Sequence, residues 1–301
     1  MRRAPLLMIV ASLLLTIMVA AVKVARAEMS TFDVMLWRCA TALPLAWLYA
    51  RHQGTGLAVA HPGWMAARAL LGFAAMTCFF TSTYGLALAD VSILFKLQPI
   101  FVVAFAPLVL GRAERSGPLV LVVIALGLLG CGLIIGPGLA VGNVYGLWAV
   151  GAAILAAAAH VALRKLGQTD PPAVIVFWYQ AVCTVLAVAG IVALTGHSPR
   201  LPPVHLWPWL ALTGITATAG QLVMTEAYRL EKASVVAAAS YVGPLWAMLG
   251  DLIVFHALPT VWALSGGALV IAAGLVLVLR RPDSPAEPMP ASRDNSVPPP
   301  A

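Results

Sequence analysis

Residues 84–114 read YGLALADVSILFKLQPIFVVAFAPLVLGRAE, and residues 227–274 read AYRLEKASVVAAASYVGPLWAMLGDLIVFHALPTVWALSGGALVIAAG. Tyr84, Ala89 and Val91 of the first stretch fall on Tyr228, Ala233 and Val235 of the second at an offset of 144, and Gly130 falls on Gly274. Upstream, Lys23 and Trp37 are fourteen residues apart, as are Arg164 and Trp178, at an offset of 141. One half of the chain therefore repeats the other. Each half holds five apolar runs. Five is odd, so the second copy enters a bilayer from the opposite side, the arrangement from which alternating-access carriers are built.

The bilayer itself is argued from composition. The chain has 301 residues, 61% hydrophobic and 10% charged. An ordinary soluble domain carries about 25% charged residues. The surplus apolar residues are divided into runs near the length that crosses about 30 Å of hydrocarbon as helix. Ten spans are expected, at about 5–24, 33–50, 66–88, 92–110, 118–136, 143–163, 173–194, 206–227, 234–255 and 260–279. No period-2 alternation supports strands, and open sheet edges do not survive in lipid. The expected fold is all-α and integral to the membrane. Its first five-helix repeat covers 1–137 and its second 143–281, with a disordered cytoplasmic tail at 282–301 rich in Pro and Ser.

The net charge of +7 reads as topology, not nucleic-acid binding. With the N-terminus cytoplasmic, thirteen of the Lys and Arg residues fall inside, Arg68 among them. Lys23, Arg26 and Arg200 fall outside, and Arg38 and Lys96 lie within spans. That asymmetry obeys the positive-inside rule and puts both termini in the cytoplasm. Arg2-Arg3, an apolar run and Ala25-Arg26-Ala27 imitate a cleavable signal. The repeat partner of Lys23 at Arg164 argues that the segment is retained. Cys39, Cys78, Cys131 and Cys183 all lie in apolar runs without CxxC spacing and read as packing residues, so neither a metal nor any other cofactor is expected.

Polar residues inside spans are expensive, and each needs a reason. Arg38, Lys96 and Asp251 all fall in the outer third of the bilayer. Two readings are open. Arg38 and Lys96 snorkel outward, with Asp251 pairing to one of them. Alternatively the three line the outer half of a cavity and favour a substrate that bears carboxylates. His160 and Asp251 are the rival candidates for coupling transport to protons. Pro99 and Pro244 break the equivalent fourth and ninth spans, making Gln98 and Tyr241 candidate substrate contacts beside a cavity. Trp178, Tyr179 and Gln180 form a further aromatic and hydrogen-bonding group, with Gln221 and Thr77 as weaker candidates. Gly127, Gly130, Gly266 and Gly274 permit close helix contact, between the halves or in a homodimer.

These stretches, with RKLGQTDPP leading into the seventh span, resemble the two repeats of EamA-type transporters of the drug/metabolite transporter superfamily. The resemblance implies ten helices, a bacterial inner-membrane location and a central cavity that moves small metabolites, often by export. The Tyr241–Trp246 spacing looks most like the branch with riboflavin and S-adenosylmethionine carriers, so uptake of a vitamin or cofactor is the alternative. The chain departs from the family at the ends of spans four and nine. There a Leu/Phe-Gly-Glu signature is replaced by Arg112, with Glu114 displaced by two, and by His256. No HExxH or GxSxG motif occurs and the His residues are scattered, so an enzyme is not expected.

Overall fold

A computed structural model describes residues 3–86, 88–135, 144–195, 198–255 and 260–279. The first half contains α1 (Arg3–Ala25), α2 (Thr31–His52), α3 (Pro62–Ser82), α4 (Leu88–Phe95), α5 (Gln98–Leu110) and α6 (Pro118–Ile135). The second contains α7 (Val144–Leu166), α8 (Pro172–Thr195), α9 (Trp207–Leu230), α10 (Ala233–Ala239), α11 (Gly243–Phe255) and α12 (Val261–Leu279). Among the described residues there is no strand. The segment 136–143, His256, the tail from 280 and the side chain of Asp251 lie outside the described residues.

Local chemistry sets the helix starts. Pro62, Pro118 and Pro172 open α3, α6 and α8, at the position where the missing N–H leaves nothing unpaired. Ser30 caps α2 by accepting the Asp33 N–H at 3.2 Å, and its own hydroxyl donates to the Asp33 carboxylate at 2.6 Å. Six stretches are long and apolar enough to span a membrane by composition, and α6 and α12 are shorter apolar helices. The long helices α2 and α9 are the more polar ones, and they turn that polarity inward. Asp33 and Arg38 on α2 are buried, as are Thr213, Thr216, Thr218, Gln221 and Thr225 on α9.

The packing pairs the halves reciprocally. α1 lies along α9, and its repeat equivalent α7 lies along α3. α2 packs on α9 and α8 on α3, while α2 meets α8 and α6 meets α12. The interior is lined mainly by Ala, whereas Leu108, Leu121, Leu129, Leu147, Ile215 and Leu275 point outward. Small residues inside and large aliphatics outside suit a bundle held by close van der Waals packing in lipid. α6 and α12 approach backbone to backbone, where a Cβ on Gly266 would stand 2.4 Å from the Gly130 carbonyl oxygen. The glycines at this point therefore join the two halves of one chain.

Loop contacts sort into two ends. At one, Asp170 accepts from the Ala60 N–H, tying segment 53–61 to segment 167–171. Lys232 reaches the Arg115 carbonyl at this same end. At the other, Arg26 donates to Thr83 and His205 meets Glu28. Trp37 Nε1 donates to the Arg200 carbonyl at 2.9 Å, and its repeat equivalent Trp178 donates to the Leu57 carbonyl at 2.8 Å. Each of these indoles therefore bonds a loop of the opposite half.

Candidate functional site

The two broken spans meet each other. α4 stops at Phe95 and α5 starts at Gln98, so Lys96 and Leu97 form the break and Pro99 stands in the first turn of α5. In the second half a single 3-10 turn, Ser240–Val242, separates α10 from α11, and Pro244 stands in the first turn of α11. Lys96 Nζ donates to the Ser240 carbonyl at 3.0 Å, and the Tyr241 hydroxyl donates to the Lys96 carbonyl at 3.1 Å. Ser240 is the repeat equivalent of Lys96, at the offset of 144. The ammonium and the phenol satisfy carbonyls that the breaks release from the helical ladder.

Beside the break, Gln98 Nε2 lies 2.8 Å from His160 Nδ1. With the amide in this orientation Gln98 donates and the imidazole accepts. The His160 ring lies against Tyr228 at 5.1 Å between centroids. Arg68 stands within electrostatic range of both His160 and Tyr228.

The sequence reading puts Arg68 at the edge of the third span and counts it toward the cytoplasmic charge. α3 begins at Pro62, four residues before the expected start, so Arg68 lies a full turn deeper in the helix than expected and is 3% exposed. Its guanidinium carbon stands 4.2 Å from the centre of the Tyr179 ring, and its Nη2 donates to Gln221 Oε1 at 3.2 Å. Gly72, one turn along, makes room: a Cβ there would come within 2.5 Å of Arg68 Nη1 and 2.9 Å of the Tyr179 ring.

Arg38 does not snorkel. It is 1% exposed, its Nη donors reach Met18 Sδ at 3.6 Å, Cys39 Sγ at 3.3 Å and Met76 Sδ at 3.3 Å, and Tyr179 is a further side-chain partner. Tyr179 interacts electrostatically with Arg38 as well as Arg68, so α8 supplies the group that both arginines share. Gln180 is fully buried, and neither its amide oxygen nor its nitrogen has a partner among the described residues. Trp178, adjacent in sequence, is 37% exposed and faces outward. The run Trp178-Tyr179-Gln180 therefore splits, because successive helical residues point about 100° apart. Lys96 is half-buried at the break and does not reach the outer surface. Thr77 bonds its own helix at the Phe73 carbonyl. All four cysteines are free and buried, and among the described residues no group of three or more His, Cys, Asp or Glu could hold a metal.

Glu114 acquires a clear structural part. Its Oε1 accepts from Arg164 Nε at 2.9 Å, and its Oε2 accepts from the Ala233 N–H at 2.9 Å, capping α10. Arg164 Nη1 also donates to the Tyr228 and Arg229 carbonyls, both at 2.8 Å. One ion pair thus clasps the end of α7, the end of α9, the start of α10 and the turn after α5. The equivalent positions in the other half are Lys23, which is exposed, and Leu258 in sequence. Neither Lys23 nor Leu258 reproduces the Arg–Glu chemistry of this latch. Glu114 and Arg164 were each noted in sequence for other reasons, but their pairing was not readable because it crosses the repeat boundary.

A family model described as the EamA-like transporter family matches residues 2–136 and 144–280. The chain is similar to the pseudopaline exporter CntI of Pseudomonas aeruginosa, with 30% identity over 90% of this chain and 94% of that protein. It is 28% identical to an uncharacterized transporter of Helicobacter pylori over 71% of this chain and 73% of that one. Human solute carrier family 35 member G1 is 26% identical over 71% of this chain and 61% of its own length. A crystal structure superposes with a TM-score of 0.79 at 19% identity, covering 92% of this chain and 98% of that one, and so shares the fold.

Proposed function

The chain belongs to the EamA-like transporter family, and on that premise we propose that it is a secondary-active, alternating-access exporter of a small carboxylate-bearing metabolite, amino-acid-like or metal-chelating, across the bacterial inner membrane. Family membership and the apolar helices make it a multi-pass membrane protein and a transporter rather than an enzyme. Alternating access requires two states in which equivalent elements exchange roles. The observation that carries this reading is the meeting of Lys96 with its own repeat equivalent, Ser240.

The inverted arrangement of the two repeats is supported by the loops. Segment 53–61 and its equivalent around Arg200 contribute to opposite ends of the bundle. In this reading the Glu114–Arg164 latch closes the cytoplasmic end, and its release opens the path inward. Arg38 and Arg68 favour an anionic substrate, and Lys96, Gln98, Tyr179 and Tyr241 sit on the route between the halves. Trp178 serves the rim. The likeness to an exporter favours outward movement. Protons are the candidate coupling ion, through His160 or Asp251.

The test is metabolite profiling of cells and medium in wild-type, deletion and Lys96→Met strains. Export predicts one carboxylated metabolite that accumulates inside and disappears from the medium when the gene is deleted. Lys96→Met is expected to resemble the deletion. Depletion inside with retention in the medium would replace export with the alternative reading, uptake of a vitamin or cofactor.

A further inference from the structure

Arg38 and Arg68 come from neighbouring helices of the same half, and both are buried against one residue of the other half, Tyr179. Two guanidinium groups in one apolar region carry a large desolvation cost, repaid only by well-placed negative charge. Among the described residues no carboxylate lies within 4 Å of either. Their present partners are weak. Arg38 has two thioethers, a thiol and the Tyr179 phenol, and Arg68 has one amide oxygen and one aromatic face.

The vacant donors share a geometry. On both arginines the buried Nε–H has no partner among the described residues. A guanidinium grips a carboxylate bidentately through parallel N–H groups, and the edge formed by Nε and a neighbouring Nη is one such fork. Each arginine therefore keeps one donor of that edge free. Gln180, adjacent to Tyr179 on α8, adds a fully buried amide with a donor and an acceptor both unused. The thioethers of Met18 and Met76 beside Arg38 are soft and adaptable, suited to an aliphatic spacer and unable to compete with a carboxylate for the donors.

We propose that Arg38 and Arg68 form a two-guanidinium clamp around Tyr179 that binds a small dianion, one carboxylate on each arginine. The assignment deepens the carrier reading and rests on it. It names a divalent substrate and places Arg68, Gln180 and Gln221 in the binding region. A monocarboxylate satisfies one arginine and leaves the other buried and unpaired. A cationic or neutral compound satisfies neither. The ligand releases Arg38 from its sulfur contacts and leaves Gln221 to orient Arg68.

The experiment is a binding ladder on the purified full chain in lipid nanodiscs, read by intrinsic tryptophan fluorescence and thermal midpoint. The probes are acetate, succinate, glutarate and inorganic phosphate at constant ionic strength. Succinate or glutarate is expected to bind at least about 30-fold more tightly than acetate. Arg38→Gln and Arg68→Gln should each bring dicarboxylate affinity down to the acetate level. Arg38→Lys and Arg68→Lys, which keep the charge but lose the fork, should fall between and guard against misfolding as the cause. Equal affinity for acetate and both dicarboxylates in the wild type overturns the clamp without any variant. Phosphate binding more tightly than both dicarboxylates overturns the dicarboxylate assignment. Counterflow in proteoliposomes separates this proposal from the carrier reading. Dicarboxylate binding without counterflow refutes the carrier and leaves the clamp. Counterflow of a monoanionic or neutral compound without dicarboxylate binding refutes the clamp and leaves the carrier.

Discussion

Glu114→Gln removes one charge from the latch while keeping the shape of the side chain. The pair is well shielded, with Arg164 and Glu114 side chains 13% and 7% exposed. Breaking a buried pair by removing one partner costs about 3–5 kcal/mol, because the survivor is left buried and uncompensated. Here Arg164 keeps its bonds to the Tyr228 and Arg229 carbonyls, which lowers the cost. The N–H of Ala233 keeps a neutral acceptor in place of an ionised one. The expected loss is about 2–4 kcal/mol, a shift of roughly 30- to 700-fold in the balance between latched and open forms. Hydrogen exchange at 111–117 and 229–234 measures that opening directly, and a cycle with Arg164→Gln isolates the pair. The double variant should cost about 1–3 kcal/mol less than the sum of the singles, since removing both partners leaves no stranded charge. Exchange at these amides unchanged within about 0.5 kcal/mol, or an additive cycle, refutes the latch.

Two further outcomes follow from close contacts. Gly266→Ala drives a Cβ into the Gly130 carbonyl oxygen and the Ile134 nitrogen, at 2.4 and 2.7 Å, and these backbone atoms cannot rotate away. It should cost about 1–3 kcal/mol as α6 and α12 separate, whereas Gly274→Ala, with nothing within 4 Å, should be neutral or gain about 0.5 kcal/mol in thermal melts. Gln98→Leu and His160→Leu should each cost about 1–3 kcal/mol by stranding the other polar group, and the double variant should cost less than their sum. Additive costs would show that the 2.8 Å contact does not couple them.

How much was legible differs from residue to residue. The apolar helices were readable because crossing a bilayer demands a fixed length of helix, and six stretches meet that length and apolarity among the described residues. The repeat was readable because Trp37 and Trp178, Tyr84 and Tyr228, kept their spacing. Pro99 and Pro244 marked the neighbourhood of the broken spans, though the breaks fall just before them, where proline begins the next helix. Arg68 was read only as a topology charge because a cation near the expected edge of a span reads as an interfacial one. The proline rule applied at Pro62 would have put it a further turn into the helix. Trp178 and Tyr179 could not be told apart by type. Only the rotation of α8 against α2 and α3 sends one outward and the other between two arginines.

The sequence by itself determined the membrane solvent, the all-helical class and the duplication. These follow from local hydropathy and from residue spacing, which are properties of the chain before it folds. Tertiary structure alone decided which polar residues share a neighbourhood. Arg38 and Arg68 with Tyr179, Glu114 with Arg164, and Lys96 with Ser240 are each joined by side chains from different helices. Helix rotation and the exchange of packing partners between the halves set those meetings. Neither is written in the hydropathy of any single span, because a helix buries whichever face its neighbours cover.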